Sequence, residues 1–143
     1  MSPGELSFPA DGALLRQVRA QVREAAAKLG AEPPVCDNLA LVVDELVNNA
    51  IEHGACYRTD RAELRVAIRG AGDALTIEFV DPEMPTEQVV ELAAVLAETA
   101  SGMPSLDSER GRGLFLLSVY LEELRAGHAP GGGLRLTGKV QRQ

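Results

Sequence analysis

Tryptophan is absent and aromatic residues make up 3% of the chain, so its core has to rest on Leu, Val, Ile and Ala rather than on stacked rings. Cysteine is scarce. Cys36 and Cys56 stand far apart with no companion ligands, which argues against a disulfide staple or a zinc site and for two reduced thiols. No stretch approaches the roughly 20 consecutive apolar residues of a membrane-spanning helix, so a membrane is not an expected partner. The opening Met1-Ser2-Pro3-Gly4-Glu5 lacks the basic start and apolar run of a signal peptide, and the cytoplasm is the expected compartment. A cluster of Lys and Arg is missing too. With 14 basic residues against 21 acidic ones and a net charge of −7, direct binding to nucleic acid by bulk charge is not expected.

What is there suits one domain over residues 1–143: 45% hydrophobic and 24% charged residues, with neither an internal repeat nor a linker-like run. Glu5 to Phe8 reads as a short strand. Leu14, Leu15, Val18, Val22, Ala25, Ala26 and Leu29 form the stripe of an amphipathic helix that Gly30 ends. Pro33-Pro34 opens a second helix with its stripe at Val35, Leu39, Val42, Leu46 and Ala50, and Asp37 and Asp44 favour its N-terminal half. Leu64, Val66 and Ile68, a turn at Gly70 to Asp73, and Leu75, Ile77 and Phe79 read as a β-hairpin. A helix with Val89, Leu92, Ala93 and Leu96 follows the loop bracketed by Pro82 and Pro85. Helical spacing breaks down from Thr99 to Gly113, as in a mobile surface segment, and resumes at Leu114, Leu117, Ser118, Leu121 and Leu124. Gly131-Gly132-Gly133 turns into a final strand with Leu134, Leu136 and Val140. Helices and antiparallel strands in separate runs predict an α+β fold with helices on one face of the sheet.

The second helix carries an unusual set: Glu45, Asn48, Asn49, Glu52 and His53. Glu45 and Asn49 share one face, as do Asn49 and His53, and paired Asn residues cost helix stability unless they are used. A carboxylate and an amide oxygen one turn apart suit a hard cation such as Mg²⁺. Alternatively, Asn48-Asn49 faces solvent and His53-Gly54 ends the helix. Glu109-Arg110-Gly111-Arg112-Gly113-Leu114 places a glycine pair and two cations before a helix, an arrangement able to meet a phosphate, though also an ordinary hinge. Asp81, at the end of an apolar strand, can accept a hydrogen bond from an amino group such as that of adenine, or simply form a turn before Pro82.

In that order these segments resemble the GHKL ATPases, the superfamily of gyrase B, MutL and the histidine kinases, whose nucleotide-binding domain is the Bergerat fold. The run from Glu45 to Gly54 looks like the N box, Asp81 falls where the first glycine box begins, and Gly111-Arg112-Gly113-Leu114 looks like the second. The closest resemblance is to the anti-sigma-factor serine kinases of the RsbW and SpoIIAB type. It implies a two-layer α/β sandwich with a mixed, mostly antiparallel sheet. It further implies ATP and Mg²⁺ as cofactors, with Asn49 as the metal ligand and Glu45 as the catalytic base that takes the proton from a partner's serine. Asp81 would bind the adenine amino group with Thr137 in support, and Met84 would pack on the base. His53, Arg110, Gly111, Arg112, Gly113 and Leu114 would complete the nucleotide site, and an ATP lid would span about residues 99–113.

The resemblance also implies partners: a STAS-domain anti-anti-sigma protein as the serine substrate, a sigma factor or other regulator as the second partner, and a homodimer, for which apolar residues of the first helix offer a contact. One departure stands out. Where the first glycine box reads Asp-x-Gly-x-Gly, this chain has Asp81-Pro82-Glu83-Met84-Pro85, which lacks both glycines and adds a negative charge near a polyanionic ligand. Weakened ATP affinity is therefore expected. The alternative function is a kinase-weak or inactive module that sequesters its partner. A histidine-kinase catalytic domain fits poorly, because neither His53 nor His128 stands in a phospho-accepting context.

Overall fold

The computed structural model describes residues 4–59, 61–100 and 109–143. Strand β1 (Glu5–Phe8) leads through a single 3₁₀ turn, Gly12–Leu14, into helix α1 (Leu15–Lys28). The Asp11 side chain accepts from the Ala13 N–H and caps that turn. Val18, Val22 and Ala26 form the buried face of α1, and Gly30, at φ 90°, reverses the chain after it. Helix α2 (Pro33–Gly54) starts on Pro33, whose missing N–H costs nothing in a first turn. Asp37 and Asp44 do more than favour the start of this helix. They take ion pairs from α1, Arg23 to Asp37 at 3.0 Å and Arg19 to Asp44 at 2.7 Å.

Strands β2 (Leu64–Ala71) and β3 (Ala74–Asp81) form the expected hairpin, with Gly72 at φ 62° in its turn. Helices α3 (Thr86–Ala100) and α4 (Glu109–Tyr120) return the chain to strands β4 (Glu122–His128) and β5 (Leu134–Gln141). The sheet order is β1-β2-β3-β5-β4, and all its described pairings are antiparallel. Leu64, Val66, Ile68, Leu75, Ile77, Phe79, Leu134 and Leu136 point from the sheet into a core shared with Leu39, Val43, Leu46, Val47, Leu92, Leu114 and Leu117 of the helices. Arg65, Arg69, Thr76, Glu78, Arg135 and Thr137 alternate with these and occupy the other, open face. The helices thus cover one face only, as a two-layer α+β fold requires.

Two expectations are corrected. The helix expected to run through Leu124 ends at Tyr120, and β4 follows at once. Leu121 still bonds its N–H to the Leu117 carbonyl and is buried, so the helical stripe is real up to that point. Strand β4 lies at the sheet edge with mixed exposure, and its sequence carries no alternation to announce it. The second correction concerns the first helix, whose larger apolar residues are buried or partly buried against the core. Among the described residues the exposed large hydrophobics are Leu41, Val90, Phe115 and Val119, on α2, α3 and α4. Residues 101–108, the middle of the expected lid, lie outside the described residues.

Candidate functional site

The last turns of α2 and the first turns of α4 face one another. Glu45, Asn48, Asn49, Glu52 and His53 from α2, with Gly113 and Leu116 from α4, line a cleft of about 490 Å³. The two asparagines divide their tasks. Asn48 donates its side-chain N–H to Asp44 at 3.3 Å, while Asn49 turns to α4. A Cβ on Gly113 would stand 3.2 Å from Glu45 Oε2 and 3.5 Å from Asn49 Nδ2, so a glycine here lets the helix approach both groups closely. Gly113 is reached inside α4 rather than in a loop before it, because the helix begins at Glu109. The side chains of Arg110 and Arg112 and the surroundings of Gly111 lie outside the described residues.

Glu45 is half-buried, and its carboxyl is pushed above the ordinary glutamate range, first by burial and then by the charges of Asp44 and Glu52. A carboxylate so raised is a better proton acceptor, which is the property a general base needs. Among the described residues no group of three or more His, Cys, Asp or Glu side chains is placed to hold a metal alone. The donors of this cleft, Asn49 with Glu45 behind it, suit a hard cation that also takes oxygen from a phosphate and keeps several waters. The phosphate half of a nucleotide and its Mg²⁺ therefore fit the residues present.

The surroundings of Asp81, the expected base-binding residue, are differently built. Asp81 is 0% exposed, and four donors surround its carboxylate. Oδ1 accepts from Arg58 Nη1 at 2.6 Å and from the Glu83 N–H at 3.2 Å. Oδ2 accepts from the Tyr57 hydroxyl at 2.7 Å and from Arg58 Nη2 at 3.0 Å. Arg58 Nη2 also donates to the Ala50 carbonyl at 2.9 Å, and the guanidinium lies 4.9 Å from the centre of the Tyr57 ring. Burial opposes the charge on Arg58, but the hydrogen bonds and charge of Asp81 outweigh it, so the guanidinium pKa lies above its ordinary value. Burial, then the bond to Asp81, likewise pushes the Tyr57 phenol up. Glu83 accepts from the Thr59 N–H at 2.8 Å and from the Thr59 hydroxyl.

Met84 and Leu114 are buried here. With Asn49, Ala50, Phe79 and Leu134 they wall an apolar space of about 10 Å³, which holds about one water molecule and no purine. Thr137 takes no part. It pairs with Glu78 rather than with Asp81, whose partner on β5 is Leu134, and it faces the open side of the sheet beside Thr76 and Arg125. The expected support of Asp81 by Thr137 is corrected on that ground. Tyr57 and Arg58 are the residues that sequence reasoning missed, because nothing in the local spacing links them to a carboxylate 24 and 23 residues away. Their signal was indirect: a buried strand-end Asp needs a cation, and Arg58 follows the N-box-like run closely.

Residues 8–137 match the family model of the histidine kinase-like ATPase domain. The chain belongs to that family. As an ATPase-family domain it is built for a nucleotide, with the two-layer fold its relatives share. The RsbU and RsbW domains of Rv1364c from Mycobacterium tuberculosis align over 99% of the chain at a TM-score of 0.66 and 25% identity. The chain spans 32% of that longer protein. A chain of the SiaB-SiaC complex from Pseudomonas aeruginosa aligns over 95% of this one and 88% of its own length, at a TM-score of 0.71 and 17% identity, a likeness of fold. Among the described residues no helix of this ATPase-like domain is long and apolar enough to cross a membrane.

Proposed function

We propose that this domain is a partner-switching protein kinase of the anti-sigma type, which binds Mg-ATP and phosphorylates a serine of a STAS-domain antagonist. Phosphate on that serine adds about two negative charges to the antagonist, enough to abolish its binding and release the kinase to a second partner such as a sigma factor. The observation that carries the reading is the approach of Gly113 to Glu45 and Asn49, which brings these two α2 side chains and α4 together around one cleft. Asn49 would hold Mg²⁺, which supplies charge neutralisation between the phosphates. Glu45 would take the serine proton, His53 and Gly113 would border the phosphates, and a homodimer would be the working form. Likeness to the RsbW-containing protein and to the SiaB-SiaC structure supports this choice within the ATPase family.

The test is calorimetric titration with ATP with and without Mg²⁺, on the wild type and on Asn49→Ala, followed by transfer of labelled phosphate to a STAS-domain substrate. Saturable Mg²⁺-dependent binding that Asn49→Ala loses, with transfer abolished in Glu45→Ala while binding persists, is the expected result. A second reading, a module that sequesters its partner without turnover, is favoured by the saturated Asp81. Binding with no transfer in the wild type would establish it.

A further inference from the structure

The Asp81 region carries more than a departure from the family pattern. Its carboxylate has four lone-pair directions, and the protein's own donors take all four. A base amino group that is to bind Asp81 must therefore displace one of them. The phosphate cleft is open while the neighbouring apolar space is too small for a purine; Asn49 lines both, and Ala50, which the Arg58 guanidinium bonds, lines the smaller.

We infer that Arg58, held by Tyr57, is a built-in occupant of the base site: it competes with the nucleotide base for Asp81 and so sets the affinity of the domain. The proposal rests on the nucleotide-binding reading above. Three features mark the contact as a latch with somewhere to go. First, Arg58 is not part of α2 but of the turn beyond it, where the N–H groups of Tyr57 and Arg58 both bond the Gly54 carbonyl, so its release gives up the side-chain bond to the Ala50 carbonyl but no backbone bond of the helix. Second, Gly54 makes the room: a Cβ there would collide with the Arg58 guanidinium and lie 3.2 Å from Tyr57 Cζ. Third, a second seat waits. Glu83 Oε1 is buried, has no hydrogen-bond partner, and lies 3.7 Å from Arg58 Nη1. A guanidinium that leaves Asp81 for Glu83 stays paired, which keeps the open state within reach. On this view Glu83, where the family has glycine, is the counter-charge of the latch.

Apparent affinity falls by the fraction of molecules in the competent state, so a latch open in about one molecule in ten weakens binding about tenfold. Arg58→Ala is the obvious variant, but it strips the cation from two buried carboxylates. Gly54→Ala expels the guanidinium by volume and favours the helix, and Arg58→Lys keeps the charge while losing the two-pronged grip. Calorimetry with Mg-ATP on these two variants, shown folded by circular dichroism, should give dissociation constants about tenfold below that of the wild type. An independent reading uses the absence of Trp and the presence of two Tyr residues. In a Tyr120→Phe background the emission of Tyr57, whose ring lies 4.9 Å from the Arg58 guanidinium, should change as Mg-ATP saturates the protein and the guanidinium moves. Wild-type binding that both variants leave unchanged or weaken, with Tyr57 emission constant, would overturn the latch and leave the nucleotide reading standing. No binding by wild type or either folded variant would overturn both.

Discussion

At the scale of single residues, the buried pair Arg58 and Asp81 outweighs any surface ion pair in this protein. Each exposed bridge, such as Lys28 to Glu24, is worth about 0.5 kcal/mol or less. Removing one partner of a buried pair instead leaves a charge without compensation, at about 3–5 kcal/mol. Arg58→Met should therefore lower the urea midpoint sharply, whereas Tyr57→Phe, which deletes one bond to the same carboxylate, should cost about 1.5 kcal/mol. Glu45 works in the opposite sense. Its carboxyl is raised in the folded state, so folding favours its protonated form, and its ionisation draws down stability as pH climbs through the raised value. Glu45→Gln should melt above the wild type at pH 7, and the gap should narrow as pH falls below the ordinary glutamate value. Scanning calorimetry at pH 7 and pH 4 checks this; a gap unchanged at pH 4 would deny the strain. The stability gained is the complement of the base function lost.

At the scale of elements, two glycines illustrate opposite uses. Gly113 lies inside α4, where Ala would ordinarily add up to about 1 kcal/mol. Its added methyl would crowd Glu45 and Asn49, so Gly113→Ala should hold or raise the melting temperature yet weaken Mg-ATP binding at least fivefold by calorimetry. Gly133 sits at φ 89° in the turn before β5, and any Cβ there would collide with the Asp81 carbonyl. Its substitution by Ala should cost stability without entering the cleft, through the end of β3 that positions Asp81. The elements themselves were legible where burial is one-sided: α1, α2, the β2–β3 hairpin and β5 all show their period. Strand β4 was not, because an edge strand with both faces partly wet leaves no alternation to read, and the preceding helical stripe ran on into it.

At the scale of the whole molecule, the cleft joins α2 to α4, so a ligand that fills it should stabilise the two helices together. Mg-ATP at about 100 times its dissociation constant contributes about 2.7 kcal/mol, enough to raise the melting temperature by about 10 °C. The same addition should leave Asn49→Ala unmoved, and thermal shift with and without EDTA separates the metal from the nucleotide. The net charge of −7 is unevenly spread: Arg65, Arg69, Arg125, Arg135 and Lys139 collect on the open sheet face or its edge, partly offset by Glu5, Glu78 and Glu123. The helix layer, which carries the cleft between α2 and α4, is left the more acidic side.

The sequence by itself determined the α+β fold, the amphipathic faces and the grouping of Glu45, Asn49 and His53, since these follow from periods of two and 3.6 within continuous segments. The approach of Gly113 was foreshadowed by its order in the chain. Tertiary structure alone decided that Thr137 faces away from Asp81, because strand register sets which side of a sheet a residue takes and a slip of one residue reverses it. It alone also decided that Arg58 reaches Asp81. A buried carboxylate demands a partner of opposite charge, but which cation answers depends on where the chain turns after α2, a choice made in space.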